Sequence, residues 1–171
     1  MTMNKTKHVL KTKHAKRTAT VLADLTQTFD GAVRVLAVAA EGLDDLSSGS
    51  TNPSAGLLRD LCQQRKDFRH ELEELATQLE HHLDTAPPSA AEPRHDWHGL
   101  DALLKSSDDQ NVMRAVETGE EIVLRIYTGA CQKELAPRAQ VLINHHRGAI
   151  SASFARLHAM AELRGETTKP N

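Results

Sequence analysis

The sequence predicts an all-α protein, built as an up-down antiparallel four-helix bundle with one longer crossover between the second and third helices. Leu and Ala dominate the apolar residues, and aromatic residues make up only 3% of the 171-residue chain, a composition that favours helix over strand. Four segments carry apolar residues at the helical period, and no segment shows the sustained alternation of a strand. Four helices of similar length joined in pairs are typical of a bundle.

The first two helices are predicted on either side of a polar loop. The first covers about residues 18–43, with an apolar stripe formed by Leu22, Leu25, Phe29, Val33, Leu36, Ala40 and Leu43. Gly42 and the Ser-, Gly- and Pro-containing segment 47–53 end this helix. The second covers about residues 54–83, with a stripe formed by Leu58, Leu61, Phe68, Leu72, Leu75, Ala76 and Leu79.

The crossover and the third helix follow. Segment 85–93 contains three prolines and cannot continue a helix, and segment 97–105 is expected to form a helical turn or two over one end of the bundle. The third helix begins near Asp108 or Asp109, since either carboxylate suits an N-cap, and it ends near residue 133. Its apolar stripe is Val112, Val116, Val123, Tyr127 and Ala130.

The fourth helix and the chain ends complete the predicted organisation. Pro137 fits the first turn of the fourth helix, which continues to about Leu163 with Leu142, Ala149, Ile150, Leu157 and Met160 facing inward. The domain assignment is therefore a basic, flexible arm over residues 1–17, the four-helix bundle over residues 18–164 and a disordered tail over residues 165–171.

Charge and composition restrict the classes of partner. Six Lys or Arg residues and no acidic residue precede Asp24, a pattern typical of an arm that contacts nucleic acid or an acidic partner, or of a frayed, solvated lead-in to the first helix. No aromatic residue interleaves this arm, so stacking on bases is unsupported and nucleic-acid binding is not expected. No apolar run reaches the ~18–20 residues of a membrane span. Cys62 and Cys131 suggest no disulfide framework, and a cytoplasmic location is expected.

Four polar side chains are predicted to face or border the core. Successive helical residues lie about 100° apart, so the apolar stripe of each helix sets the direction of the core. Asp67 and His70 have the spacing of metal ligands, but they point away from the core. The side chains that point inward or lie at the edge of a stripe are Arg65, Glu71, Glu120 and His146.

Two interpretations of these four side chains remain open. In the first they form a buried polar network, in which Arg65 pairs with Glu120 or Glu71 and His146 is hydrogen-bonded nearby, because a buried charge is costly unless it is paired. In the second, Glu71, Glu120 and His146 hold iron or manganese. A guanidinium in the same layer competes with a cation for the carboxylates. The sequence therefore favours the polar network, and no cofactor is expected.

A second group of candidate ligands lies at the end of the first hairpin and consists of His81, His82, Asp84, His95, Asp96 and His98. Imidazole and carboxylate suit zinc or nickel, but the spacing matches no closed structural site. Neither cysteine has a histidine neighbour in the sequence, the serines cluster in loops, and no glycine-rich phosphate loop occurs. The sequence therefore shows no constellation for nucleophilic catalysis.

Several short motifs follow one another along the chain. They are Leu25 with Asp30-Gly31, the motif Arg65-x-x-Phe68-x-x-Glu71-Leu72, Trp97 with Leu100, and Glu117-x-Gly119-Glu120-Glu121 leading to Tyr127. This set resembles an uncharacterised bacterial family of ferritin-like four-helix bundles, over about residues 21–163. The resemblance implies a ferritin-like bundle distantly related to ferritins and rubrerythrins, with no established activity.

The chain also departs from that family pattern. Segment 32–36 lies where the family tends to carry an aromatic residue and more acidic residues. Phe154 lies near the position at which the family tends to carry a histidine. Both departures weaken an implied iron site. We therefore expect a non-catalytic bundle that acts through self-association, as a homodimer, or through an unknown protein partner. The alternative is a ferritin-like protein that binds iron or manganese and has a role in oxidative stress.

Overall fold

The computed structural model describes residues 3–47, 52–83 and 108–167. Within these residues the chain forms four α-helices and no strand, which confirms the all-α prediction. The helices are α1 (Met3–Leu46), α2 (Pro53–Leu83), α3 (Asp109–Cys131) and α4 (Pro137–Thr167). The predicted crossover segments 85–93 and 97–105 lie outside the described residues, as does most of the loop 47–53.

Helix α1 begins at Met3, well before the predicted start at Thr18. The segment predicted as a flexible arm thus contributes residues 3–17 to the helix. This segment contains neither Gly nor Pro, and its Lys and Ala residues are good helix formers, so the helix extends beyond the apolar stripe. Helix α4 likewise continues to Thr167, past the predicted start of the disordered tail at Gly165, while residues 168–171 lie outside the described part.

The starts of α2 and α3 are both capped by side chains. The Asn52 Oδ1 atom accepts a hydrogen bond from the Ser54 N–H at 3.0 Å, and Pro53 takes the first helical position, where no N–H is needed. Asp108 has extended backbone angles and accepts from the Gln110 N–H at 3.0 Å. The prediction that α3 begins at this N-cap is confirmed.

The four helices pack around one apolar core to which each of them contributes. The most extensive packing joins α1 to α2 and α3 to α4, and α1 also packs against α3. Helices α2 and α4 share far less contact. The core of α4 is centred on Ile143, Ile150 and Leu157, whereas Leu142 and Ala149, which the sequence placed inward, are only partly buried. The edge between α2 and α4 is therefore the loosest of the fold.

Hydrogen bonds between the helix ends connect the two hairpins. They join the Ala136 N–H to Thr18 Oγ1 (2.9 Å), the Asn52 Nδ2–H to Asp109 Oδ2 (3.2 Å) and the Ser54 O–H to Met160 Sδ (3.2 Å). The start of α2 is therefore close to the start of α3 and to the end of α4, and the start of α4 is close to α1. None of the described helices is long and apolar enough to cross a membrane.

Candidate functional site

Each helix contributes one ring to an aromatic layer inside the protein. Phe29 comes from α1, Phe68 from α2, Tyr127 from α3 and His146 from α4, and all four side chains are buried. The His146 ring stacks on Phe68 with centroids 4.0 Å apart and an interplanar angle of 14°. Phe29 lies 5.4 Å from Tyr127 and 6.1 Å from Phe68, centroid to centroid. The polar candidates predicted from the sequence lie around this layer.

Arg65 and Glu120 form an ion pair inside the protein. Their side chains are 0% and 2% exposed, and Arg65 Nη2 contacts Glu120 Oε2 directly. The other terminal nitrogen of Arg65 donates to Gln64 Oε1, which also accepts from the Ser153 O–H at 2.8 Å. The pair thus links α2 to α3, and Gln64 with Ser153 extends the connection to α4. This arrangement neutralises the two buried charges within the protein.

His146 lies between a carboxylate and a phenol. Its Nε2 atom is 2.8 Å from Glu71 Oε2, and its Nδ1 atom is 3.2 Å from the Tyr127 oxygen. Burial lowers the pKa of His146 below its ordinary value, although the neighbouring Glu71 acts in the opposite direction, and His145 and Arg65 lower it further. Burial raises the pKa of Tyr127 above its ordinary value, despite the nearby Arg65 cation.

The partners of the His146 ring select one arrangement of protons, because a carboxylate only accepts hydrogen bonds. A neutral imidazole donates from one nitrogen and accepts at the other. The Nε2–H of His146 therefore donates to the Glu71 carboxylate, and the Tyr127 O–H donates to Nδ1. Both ring nitrogens of His146 and the Tyr127 hydroxyl then have partners, and this series of hydrogen bonds runs from the surface at Glu71, whose side chain is 45% exposed, to the buried phenol.

The structure brings the four predicted polar residues together as two separate pairs. Arg65 contacts Glu120, and Glu71 contacts His146, so Glu120 is the carboxylate next to the guanidinium. Asp67 and His70 are exposed, on the side of α2 away from the core. The sequence did not predict the roles of three further side chains, Gln64, Ser153 and Tyr127. Ser153 and Tyr127 do lie on the apolar stripes of their helices, which was the available signal.

The geometry does not fit the metal site considered from the sequence. Glu120 is already held by Arg65, and the Glu71 oxygen is already hydrogen-bonded to His146. Across residues 3–47, 52–83 and 108–167, no group of three or more His, Cys, Asp or Glu side chains has the arrangement of metal ligands. The second candidate group, at His81, His82, Asp84, His95, Asp96 and His98, lies outside the residues whose side chains are described.

A surface groove of about 590 Å³ lies between α2 and α4, where these helices pack loosely. Its α2 wall includes Glu71 and Glu74, and its α4 wall includes Arg138, Val141 and His145. Glu71 thus has one side in the groove and the other on the buried His146.

Comparison with protein-family models, with curated proteins and with solved structures found no significant match. The ferritin-like resemblance therefore stays a prediction.

Proposed function

We propose that the protein is a non-catalytic, cytoplasmic, ferritin-like helix bundle that acts through association with itself or with another protein. The observation that supports this most strongly is the Arg65–Glu120 pair, because it leaves the central carboxylate of the interior neutralised by the protein itself. An interior carboxylate that serves a metal or a reaction needs an open coordination or substrate position. Here the guanidinium takes that position.

The burial of the polar groups supports the absence of catalysis. Arg65, Glu120 and His146 are at most 2% exposed, so a substrate cannot reach them from the surface. Glu71 reaches the groove, but its carboxylate is held by His146. The chain of hydrogen bonds from Glu71 to Tyr127 stabilises one packing arrangement of α2, α3 and α4, which is a structural role.

The contacts between helix ends support the up-down, ferritin-like topology. The start of α2 meets the start of α3 and the end of α4, and α1 meets the start of α4, so each packed pair of helices is antiparallel. In this arrangement α2 and α3 run in the same direction. Leu83 at the end of α2 and Asp108 before α3 would then lie toward opposite ends of the bundle, since the 31-residue helix α2 is roughly 46 Å long. A longer crossover at this point is the arrangement of ferritin-like bundles.

Metal analysis of protein purified without a histidine tag separates this proposal from the metal-binding alternative. We expect less than one equivalent of iron or manganese in the wild-type protein and in Glu120→Ala. The matched control is Glu121→Ala, which changes the adjacent, exposed carboxylate. Stoichiometric iron or manganese that is lost in Glu120→Ala but kept in Glu121→Ala would establish the ferritin-like metal protein instead.

A further inference from the structure

The groove between α2 and α4 has walls of opposite charge. The α2 wall presents the carboxylates of Glu71 and Glu74, whereas the α4 wall presents the Arg138 guanidinium and the His145 imidazole. Glu74 is exposed, and the Arg138 guanidinium donates to Gln78 Oε1 at 3.2 Å, a contact on the surface. An acidic wall beside a basic wall is a surface that can be complementary to itself.

Part of the groove lining is apolar. Leu75 and Leu142 belong to this lining, and so does Val141, which is 71% exposed, the highest value among the large apolar side chains that the structure describes. The outer face of α4 then continues through the exposed positions Gly148, Ala152, Ala159 and Leu163, with the exposed Arg156 as a basic residue among them. A Cβ atom added at Gly148 would have no other side chain or helix within 4 Å, so the internal packing does not require glycine there.

We propose that this face binds a second copy of the same chain, in a two-fold dimer whose axis runs along the groove, parallel to α2 and α4. Rotation by 180° about such an axis moves each helix to the opposite side of the axis, but it leaves every residue at the same height along the helix direction. The α2 wall of each copy therefore faces the α4 wall of the other copy. Arg138 contacts Gln78, which lies one helical turn, about 6 Å, from Glu74, so each Glu74 lies within reach of the long Arg138 side chain of the other copy.

The size of the face fits a stable dimer. The outer face of α4 from Val141 to Leu163 is about 33 Å long at 1.5 Å per residue, and two neighbouring helices are together about 20 Å wide, which gives roughly 650 Å² per copy. Specific interfaces bury about 600–1,000 Å² per partner. Within the groove, the exposed Val141 lies among polar and charged residues, which matches the usual anatomy of an interface with apolar contacts surrounded by a polar rim.

This inference rests on the proposed function, since it names the surface through which the protein associates with itself. The two are separated by a charge-exchange experiment on the full chain, in which size-exclusion chromatography with light scattering gives the molar mass. We expect the wild type to be a dimer. Glu74→Lys places a new ammonium group against Arg138, and Arg138→Glu places a new carboxylate against Glu74, so each variant alone is expected to be monomeric.

An equimolar mixture of the two variants is expected to restore the dimer. In a heterodimer, the introduced lysine of one chain faces the introduced glutamate of the other, and the native Arg138 of the first chain faces the native Glu74 of the second. Both contacts are then attractive. Pairing of Glu74 with Arg138 inside one chain cannot produce this rescue, because neither variant carries both changes. The matched control is Glu121→Lys, an exposed reversal on α3 that is expected to leave the dimer intact.

The remaining outcomes overturn the inference in distinguishable ways. A wild-type protein that stays monomeric contradicts both the dimer and self-association as the function, and leaves the groove to another occupant. A wild-type dimer that persists in both variants and in Val141→Asp contradicts the groove as interface but leaves self-association standing. Circular dichroism of each variant checks the fold, which these exposed substitutions are expected to preserve.

Discussion

At the scale of single residues, the Arg65–Glu120 pair shows how a charge is tolerated inside this protein. Removing two charges from water costs several kcal/mol each, and the mutual attraction of the pair offsets that cost when further hydrogen bonds satisfy the remaining donors. Gln64 supplies one such bond to Arg65, but Arg65 Nε has no acceptor within hydrogen-bond distance among the described residues. The cost of removing the two charges from water and the attraction between them are therefore similar in size. The stability of the protein depends on both partners being present.

We predict that removing one partner destabilises the protein far more than removing both. Arg65→Met should lower the free energy of unfolding by about 3–5 kcal/mol, because Glu120 is left as an uncompensated buried charge. The double variant Arg65→Met/Glu120→Leu should recover most of this loss. Urea denaturation of the wild type, both single variants and the double variant measures the coupling.

The control for this cycle is Arg69→Met, which removes an arginine with a 42% exposed side chain that pairs with Asp30 and Glu73. We expect it to change the free energy of unfolding by at most about 1 kcal/mol, as is usual for surface pairs. A double variant whose loss equals the sum of the single losses would show that Arg65 and Glu120 stabilise the fold independently.

Helical periodicity directs some polar residues inward but does not pair them. The angle of a residue around its helix follows from about 100° per position, and this places Arg65, Glu120 and His146 inward. The partner of Arg65 depends on the height at which each helix sits against the next, and helical periodicity carries no information on that offset. On the sequence alone, Glu71 and Glu120 are therefore equivalent candidates for the partner of Arg65.

At the scale of elements, helix boundaries were predictable where capping residues or proline set them. The starts of α2, α3 and α4 follow from Pro53, Asp108 and Pro137, and the structure agrees within a residue. The start of α1 has no such signal, and the apolar stripe marks only the part of α1 that packs on other helices. A segment with helix-favouring residues and no breaker extends the helix to Met3.

The two N-caps are predicted to differ in their contribution to stability. Asn52 is 4% exposed, and its amide donates to the Leu43 carbonyl and to the Asp109 carboxylate while its Oδ1 caps α2. Asn52→Ala should therefore lower the free energy of unfolding by about 2–3 kcal/mol, since a cap and two further bonds are lost. Asp108 is exposed, and Asp108→Ala should cost about 0.5–1 kcal/mol.

Urea denaturation of these two alanine variants is the measurement. The comparison is matched because both substitutions remove a side-chain cap from the first turn of a helix. Equal losses would mean that the bonds from Asn52 to the end of α1 and the start of α3 add nothing, and that the helix ends are held together by apolar packing alone.

At the scale of the whole molecule, the aromatic layer makes all four helices depend on one another. Phe29, Phe68, Tyr127 and His146 come from four different helices and lie in mutual contact. A single core of this kind favours cooperative, all-or-none unfolding. Tyr127 is the single tyrosine of the chain, so the ionisation of its phenol reports on the centre of the fold without interference from another tyrosine.

We predict that Tyr127 ionises only when the whole protein unfolds. Its pKa in the folded protein lies above the ordinary value near 10, whereas in the unfolded chain it returns to about 10. The unfolded state therefore loses a proton that the folded state retains, and stability falls as the pH rises above about 10.

Phenolate absorbance and far-ultraviolet circular dichroism should change together in one transition during alkaline titration. In concentrated denaturant the same absorbance should rise near pH 10. Tyr127→Phe, which cannot ionise, should lose the absorbance change and unfold at higher pH than the wild type. Phenolate absorbance that rises near pH 10 while the helical signal is intact would place Tyr127 in contact with solvent and contradict the closed aromatic layer.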